Sequence, residues 1–78
     1  MAGRSPSDID CRIAARVGAA RAEAGLKQCD LAQALGVSPA QFQKYEKGQN
    51  RISAGALQVL ADRIGQPITA FFDTAEGC

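Results

Sequence analysis

Residues 28–51 read QCDLAQALGVSPAQFQKYEKGQNR, and this stretch decides the fold. Two short runs with helical spacing meet across only Gly36 and Val37. Leu31, Ala32 and Leu35 share one side of the first run, and Phe42 and Tyr45 face inward on the second. Ser38 followed by Pro39 is a start signal: serine caps the free amides of a first turn, and proline's fixed φ and missing N–H suit the first helical position. The spacing predicts helices over Gln28–Leu35 and from Pro39 to about Lys47, before Gly48. So short a link forces a sharp angle between them. Leu31, Leu35, Val37, Phe42 and Tyr45 can pack in the corner, and Ala32 is small where the second helix must approach closely.

Working outward, glycines at 25, 36, 48 and 65 each follow a helical run, where left-handed C-caps belong. A first helix is predicted from Asp8, with Ser7 as N-cap, to Ala24, its stripe being Ile9, Ile13, Val17, Ala20 and Ala24. A fourth, capped by Ser53, runs to Ile64 with Ala56, Leu57, Leu60, Ala61 and Ile64 toward the core. After Gly65 and Pro67 a last helical turn, Ile68 to Phe72, delivers two phenylalanines. The expected architecture is an all-α, compact five-helix domain over residues 8–72 containing a helix-turn-helix. Residues 1–7 are read as a flexible N-terminal arm and 73–78 as a C-terminal tail.

Composition agrees with one small helical domain. The chain has 78 residues, of which 15 are alanine and only 16 are Leu, Ile, Val or Phe. It has no histidine, which excludes Ser-His-Asp and Cys-His nucleophile pairs and the usual histidine-containing metal sites. Cysteines at 11, 29 and 78 are odd in number and form no C-x-x-C pair, so they make neither a disulfide framework nor a zinc site. They are expected to be small, partly buried thiols rather than a redox switch. No export signal or apolar span is read, and free thiols favour a cytoplasmic location. Net charge is +1, but residues 1–51 carry +3 and residues 52–78 carry −2, so an anionic partner should meet the first two-thirds of the chain.

Helix three then supplies the chemistry. At about 100° per residue, Ala40, Gln41, Gln43, Lys44 and Lys47 lie opposite Phe42 and Tyr45. Glutamine and lysine suit base edges and phosphates, alanine can meet a thymine methyl, and no acid shares this face. A solvated polar face of an ordinary helical hairpin is the plain alternative. The segment Lys47-Gly48-Gln49-Asn50-Arg51 extends the basic strip, its backbone N–H groups and guanidinium suited to phosphate oxygens. Gln28 opens helix two, where free amides favour a phosphate, or else it caps its own helix. Arg21 at the edge of helix one's stripe and Glu46 on helix three's inner side would each be costly to bury alone, so they are expected to pair. No second catalytic group accompanies Glu46, so no enzyme activity is read.

These residues resemble a known family, the phage-repressor/Cro-like helix-turn-helix regulators. The pattern runs through Gly25-Leu26-Lys27-Gln28, Leu31-Ala32, Leu35-Gly36-Val37-Ser38, Phe42 to Gly48 and Asn50-Arg51-Ile52-Ser53, spanning about residues 8–72. Gln43 to Ser53 with Phe71-Phe72 looks especially like small proteobacterial members. The resemblance implies that helix three (38–47) enters the major groove of double-stranded DNA. Pro39, Ala40 and Lys44 fall where family members read bases, with Gln43 beside them. Gln28, Ser38, Gln41, Lys47, Gln49, Asn50 and Arg51 fall at or beside backbone-contact positions, and Arg21 and Glu46 where the family often carries a buried ion pair. Two positions depart from the pattern: Lys27 replaces the usual Ser or Thr cap, and Pro39 cannot read a base by hydrogen bond.

The resulting expectation is a sequence-specific DNA-binding transcriptional regulator without cofactor, metal or small-molecule ligand. The alternative is an antitoxin-like protein-interaction module that binds DNA secondarily. One helix-turn-helix reads few base pairs, so a homodimer on a two-fold operator is expected. Its interface is read at Val59, Ile68, Phe71 and Phe72, with one phenylalanine closing the core and the other exposed.

Overall fold

Alanine-rich sequence with apolar residues every third or fourth position gives the first and longest helix, α1 (Pro6–Glu23). In the computed structural model, which describes residues 6–72, it is followed by α2 (Gln28–Leu35), α3 (Pro39–Glu46), α4 (Ala54–Ile64) and a 3₁₀ turn, Ile68–Phe71. There is no strand among the described residues. The helix-turn-helix pair α2 and α3 pack closely, α2 also lies on α4, and α1 crosses α3, α4 and the 3₁₀ turn.

Four helices and one 3₁₀ turn replace the five helices expected. Gly65 ends α4 in the left-handed region (φ 87°), Pro67 is extended, and Phe72 is extended again at φ −96° and ψ 142°. The four residues between them close only three-residue loops, Ala70 N–H to Pro67 O (2.9 Å) and Phe72 N–H to Thr69 O (3.2 Å). The start of α1 also moves. Proline needs no N–H partner in a first turn, so the helix begins at Pro6 and Ser7 lies within it rather than capping it. At the other end α1 stops at Glu23. Leu26 N–H turns back to Arg21 O at 3.0 Å, and Ala24 is exposed rather than part of the core stripe. Residues 1–5 of the expected arm and the tail 73–78, with Cys78, lie outside the described residues.

The core is Ile13, Val17, Leu31, Ala32, Phe42, Leu57, Leu60, Ala61 and Phe71, to which α1 adds Ala14. Leu35, Val37 and Tyr45 pack half-buried around it, and the Phe42 and Tyr45 rings meet edge to face with centroids 6.5 Å apart. Caps fix the helix that matters most. Ser38 Oγ accepts from Gln41 N–H at 3.1 Å and Pro39 takes the first helical position. Lys27 has no acceptor to cap α2, and only the reverse half of a capping box is made, the Asp30 carboxylate accepting from Lys27 N–H at 2.8 Å.

Candidate nucleic-acid interface

Glu46 is the only acid in α3, and it is turned away from the polar face. Arg21 Nε donates to Glu46 Oε2 at 2.5 Å, and Arg21 Nη2 approaches Oε1 at 3.4 Å. Arg21 Nη1 donates to Leu26 O at 2.9 Å, so the guanidinium also ties down the turn between α1 and α2. The side chains retain only 20% and 12% of their exposure, which makes this a largely buried pair joining three segments. Gly18 of α1 faces the Glu46 carboxylate, where even a Cβ would sit 3.6 Å from its Cδ.

Gln28 belongs to the same network. Its Nε2 donates to Glu46 Oε1 at 2.8 Å, linking the first residue of α2 to the last of α3. The sequence reading offered Gln28 as a phosphate contact or a cap of its own helix, and missed this third partner. Nothing in residue type or spacing signals it, because the contact crosses the angle between two helices.

The opposite face of α3 is open. Pro39, Ala40, Gln43, Lys44 and the following Lys47 are exposed, and Gln41 is half-buried beside them. Ser38 is exposed too, its oxygen already accepting from Gln41. Beyond α3, Gly48 takes φ 75°, and Gln49, Asn50 and Arg51 are exposed. Here one expectation is corrected. The N–H groups of Gln49 and Asn50 are not presented outward: both donate to Lys44 O, at 2.9 and 3.3 Å. They close the C-terminus of α3, leaving the side chains as the available groups. Arg51 has a partner that the sequence reading missed, Nε donating to Asp10 Oδ2 of α1 at 2.7 Å.

The C-terminal apolar residues separate sharply. Phe71 is fully buried (0% exposed) and Phe72 is 42% exposed, with Val59 on the outer side of α4 at 38%. Phe71 therefore offers no surface to a partner and is withdrawn from the expected interface, because the core has no other ring to close it at this end. Ile68 is half-buried against the core. Cys11 and Cys29 are exposed free thiols, not partly buried ones as expected. No helix among the described residues is long and apolar enough to cross a membrane, and no group of three or more His, Cys, Asp or Glu there could hold a metal ion.

Residues 12–70 match the model of a helix-turn-helix domain family. The chain belongs to that family, and its fold is that of the Cro/repressor-like regulators. It is 36% identical over 74 residues to an uncharacterized HTH-type transcriptional regulator of Sinorhizobium medicae (strain WSM419), covering 95% of this chain and 53% of that protein. It is 41% identical over 73 residues to an uncharacterized transcriptional regulator in the ATPase CF(0) region of Rhodospirillum rubrum, covering 94% and 68%. The chain thus spans about half the length of the first of these relatives and two-thirds of the second. Among solved structures it is similar to the restriction-modification controller protein C.AhdI from Aeromonas hydrophila (TM-score 0.75, 24% identical, 85% of this chain and 98% of that one). It is also similar to the clp gene regulator ClgR from C. glutamicum (TM-score 0.76, 24% identical, 81% and 82%).

Proposed function

We propose that this chain is a sequence-specific, double-stranded-DNA-binding transcriptional regulator that places α3 in the major groove. One observation carries the reading. The single acid of α3 is drawn back onto Arg21 and Gln28, so the face bearing Pro39, Ala40, Gln43, Lys44 and Lys47 is open and without negative charge. Ala40, Gln43 and Lys44 are the base-reading side chains, with Pro39 as an apolar contact at the helix entry. Ser38, Gln41, Lys47, Gln49, Asn50 and Arg51 serve the phosphates, and Gln28 reaches them only through whatever its bond to Glu46 leaves. The regulators among its relatives support the assignment. We place it in the cytoplasm, on the nucleoid when bound.

The domain acts as a homodimer on a two-fold operator, because one recognition helix covers too few base pairs for specificity. Exposed Phe72 and Val59, flanked by half-buried Ile68, are the apolar surface available to a second copy. Selection of bound duplexes from a random pool tests both statements. Enriched sequences with two inverted half-sites one helical turn apart support them. A pool that stays random, with binding that does not fall steeply as salt rises, would assign the polar face to solvent and the apolar surface to an antitoxin-like interaction module.

A further inference from the structure

Arg51 lies just past the turn that follows α3, and its side chain is held. The bond from Nε to Asp10 Oδ2, at 2.7 Å, spans 41 positions of sequence. Its two ends are unlike: the arginine side chain is 70% exposed and the aspartate 25%. The carboxylate, seated on α1, is the fixed end, and the guanidinium is the end presented to solvent. A guanidinium held at Nε still offers the fork of its two terminal nitrogens, the arrangement that grips a phosphate.

The platform beneath the pair is fixed independently. Gly48 comes so close to Cys11, the neighbour of Asp10, that a Cβ there would lie 3.0 Å from the sulfur. The N–H groups of Gln49 and Asn50 are locked onto Lys44 O. α1, the end of α3 and residues 49–51 therefore form one surface, an open cleft lined by Asp10, Gly48, Gln49 and Arg51.

We propose that Asp10 is a positioning residue for DNA phosphate: it holds Arg51 so that the terminal nitrogens face the backbone beside the groove that α3 enters. This rests on the DNA-binding reading of α3. Two effects of opposite sign compete. The charge of Asp10 repels phosphate, so its removal alone would tighten binding. Its bond to Nε removes rotamer freedom from one of the most rotamer-rich side chains. Salt screens the repulsion between exposed charges over roughly 8 Å at physiological ionic strength, but it does not undo an orientation. Orientation wins. With its arginine end 70% exposed, the pair adds little to stability.

The test is a double-mutant cycle, read by binding to a random-sequence duplex across a salt series, with thermal melts of every variant. One phosphate contact corresponds to a salt slope of about 0.9, or roughly eightfold in affinity at 0.1 M salt. Arg51→Ala should therefore cost roughly five- to tenfold in the parent and less than about twofold once Asp10 is alanine. Asp10→Ala alone should weaken binding. Asp10→Asn, which keeps an acceptor oxygen for Nε, should restore most of the loss and serves as the folded variant should alanine unfold the chain. Tighter binding by Asp10→Ala would make the carboxylate a mere repelling charge and overturn the proposal. So would an Arg51→Ala cost that is the same in both backgrounds. A parent that fails to bind any duplex would instead overturn the reading of α3. The Arg51 Nε proton, followed by NMR without DNA, then reports separately whether the pair with Asp10 exists.

Discussion

Glu46, the last residue of the proposed recognition helix, is bonded to Arg21 of α1 at 2.5 Å and to Gln28 of α2 at 2.8 Å. One carboxylate thereby sets the recognition helix against both of its neighbours, and leaves the outer face of α3 without an acid. The same bond serves the fold and the electrostatics of the site.

Glu46→Ala should destabilise the domain severely, because it strands a guanidinium that is four-fifths buried. Removing one partner of a fully buried pair costs roughly 3–5 kcal/mol, and the remaining exposure here puts the expected loss at about 2–3 kcal/mol. In a domain of this size that lowers the melting temperature by at least about 8 °C. Glu46→Gln, which retains an acceptor for Arg21, should lose less. A melt of Glu46→Ala within a degree or two of the parent would mean that the pair contributes nothing.

Two glycines should respond in opposite directions. Gly48→Ala forces a side chain into φ 75° and against the Cys11 sulfur, so it should cost more than the roughly 1–2 kcal/mol of a left-handed residue alone. Gly25→Ala, at φ 74° with open space around it, supplies that reference. Gly18→Ala lies inside α1 and meets Glu46 at an ordinary contact distance of 3.6 Å. It should stabilise by about 0.5–1 kcal/mol through helix propensity. Urea denaturation of the three variants, ranked by midpoint, checks the order.

Phe71 and Phe72 should separate stability from assembly. Phe71→Ala empties a fully buried site and should cost roughly 3–5 kcal/mol, enough to unfold much of the population. Phe72→Asp should leave the melt nearly unchanged and shift sedimentation toward monomer, and Val59→Asp should reinforce it. A parent that stays monomeric at tens of micromolar, or a dimer that survives both surface substitutions, would remove the dimer proposed for this face.

Lys44→Ala should relax base preference at one position of the operator at a cost of about 1–3 kcal/mol against the best sequence. Lys47→Ala should instead weaken all sequences alike and lower the salt slope by about one. Binding to the selected operator and to random duplex, compared across salt, distinguishes the two. Equal losses on both duplexes for Lys44→Ala would reassign it to the backbone.

Local chemistry in the sequence determined where α3 and α4 begin and where the glycine turns fall, but not the ends of α1. Ser38-Pro39 and Ser53 start α3 and α4, and glycines at 25, 36, 48 and 65 all adopt positive φ, because capping and left-handed turns depend on residues only a few positions apart. The Arg21–Glu46 pair was legible for a related reason: each charge interrupts the edge of an apolar stripe, and a buried charge needs a partner. Tertiary structure alone decided the rest. Phe71 and Phe72 are adjacent and chemically identical, and only the 3₁₀ turn's packing on α1 and α4 sends one ring into the core. Gln28 to Glu46 and Asp10 to Arg51 join polar groups 18 and 41 residues apart. Such contacts leave no periodicity in the chain, because a polar side chain at a helix surface satisfies the sequence pattern equally well in water.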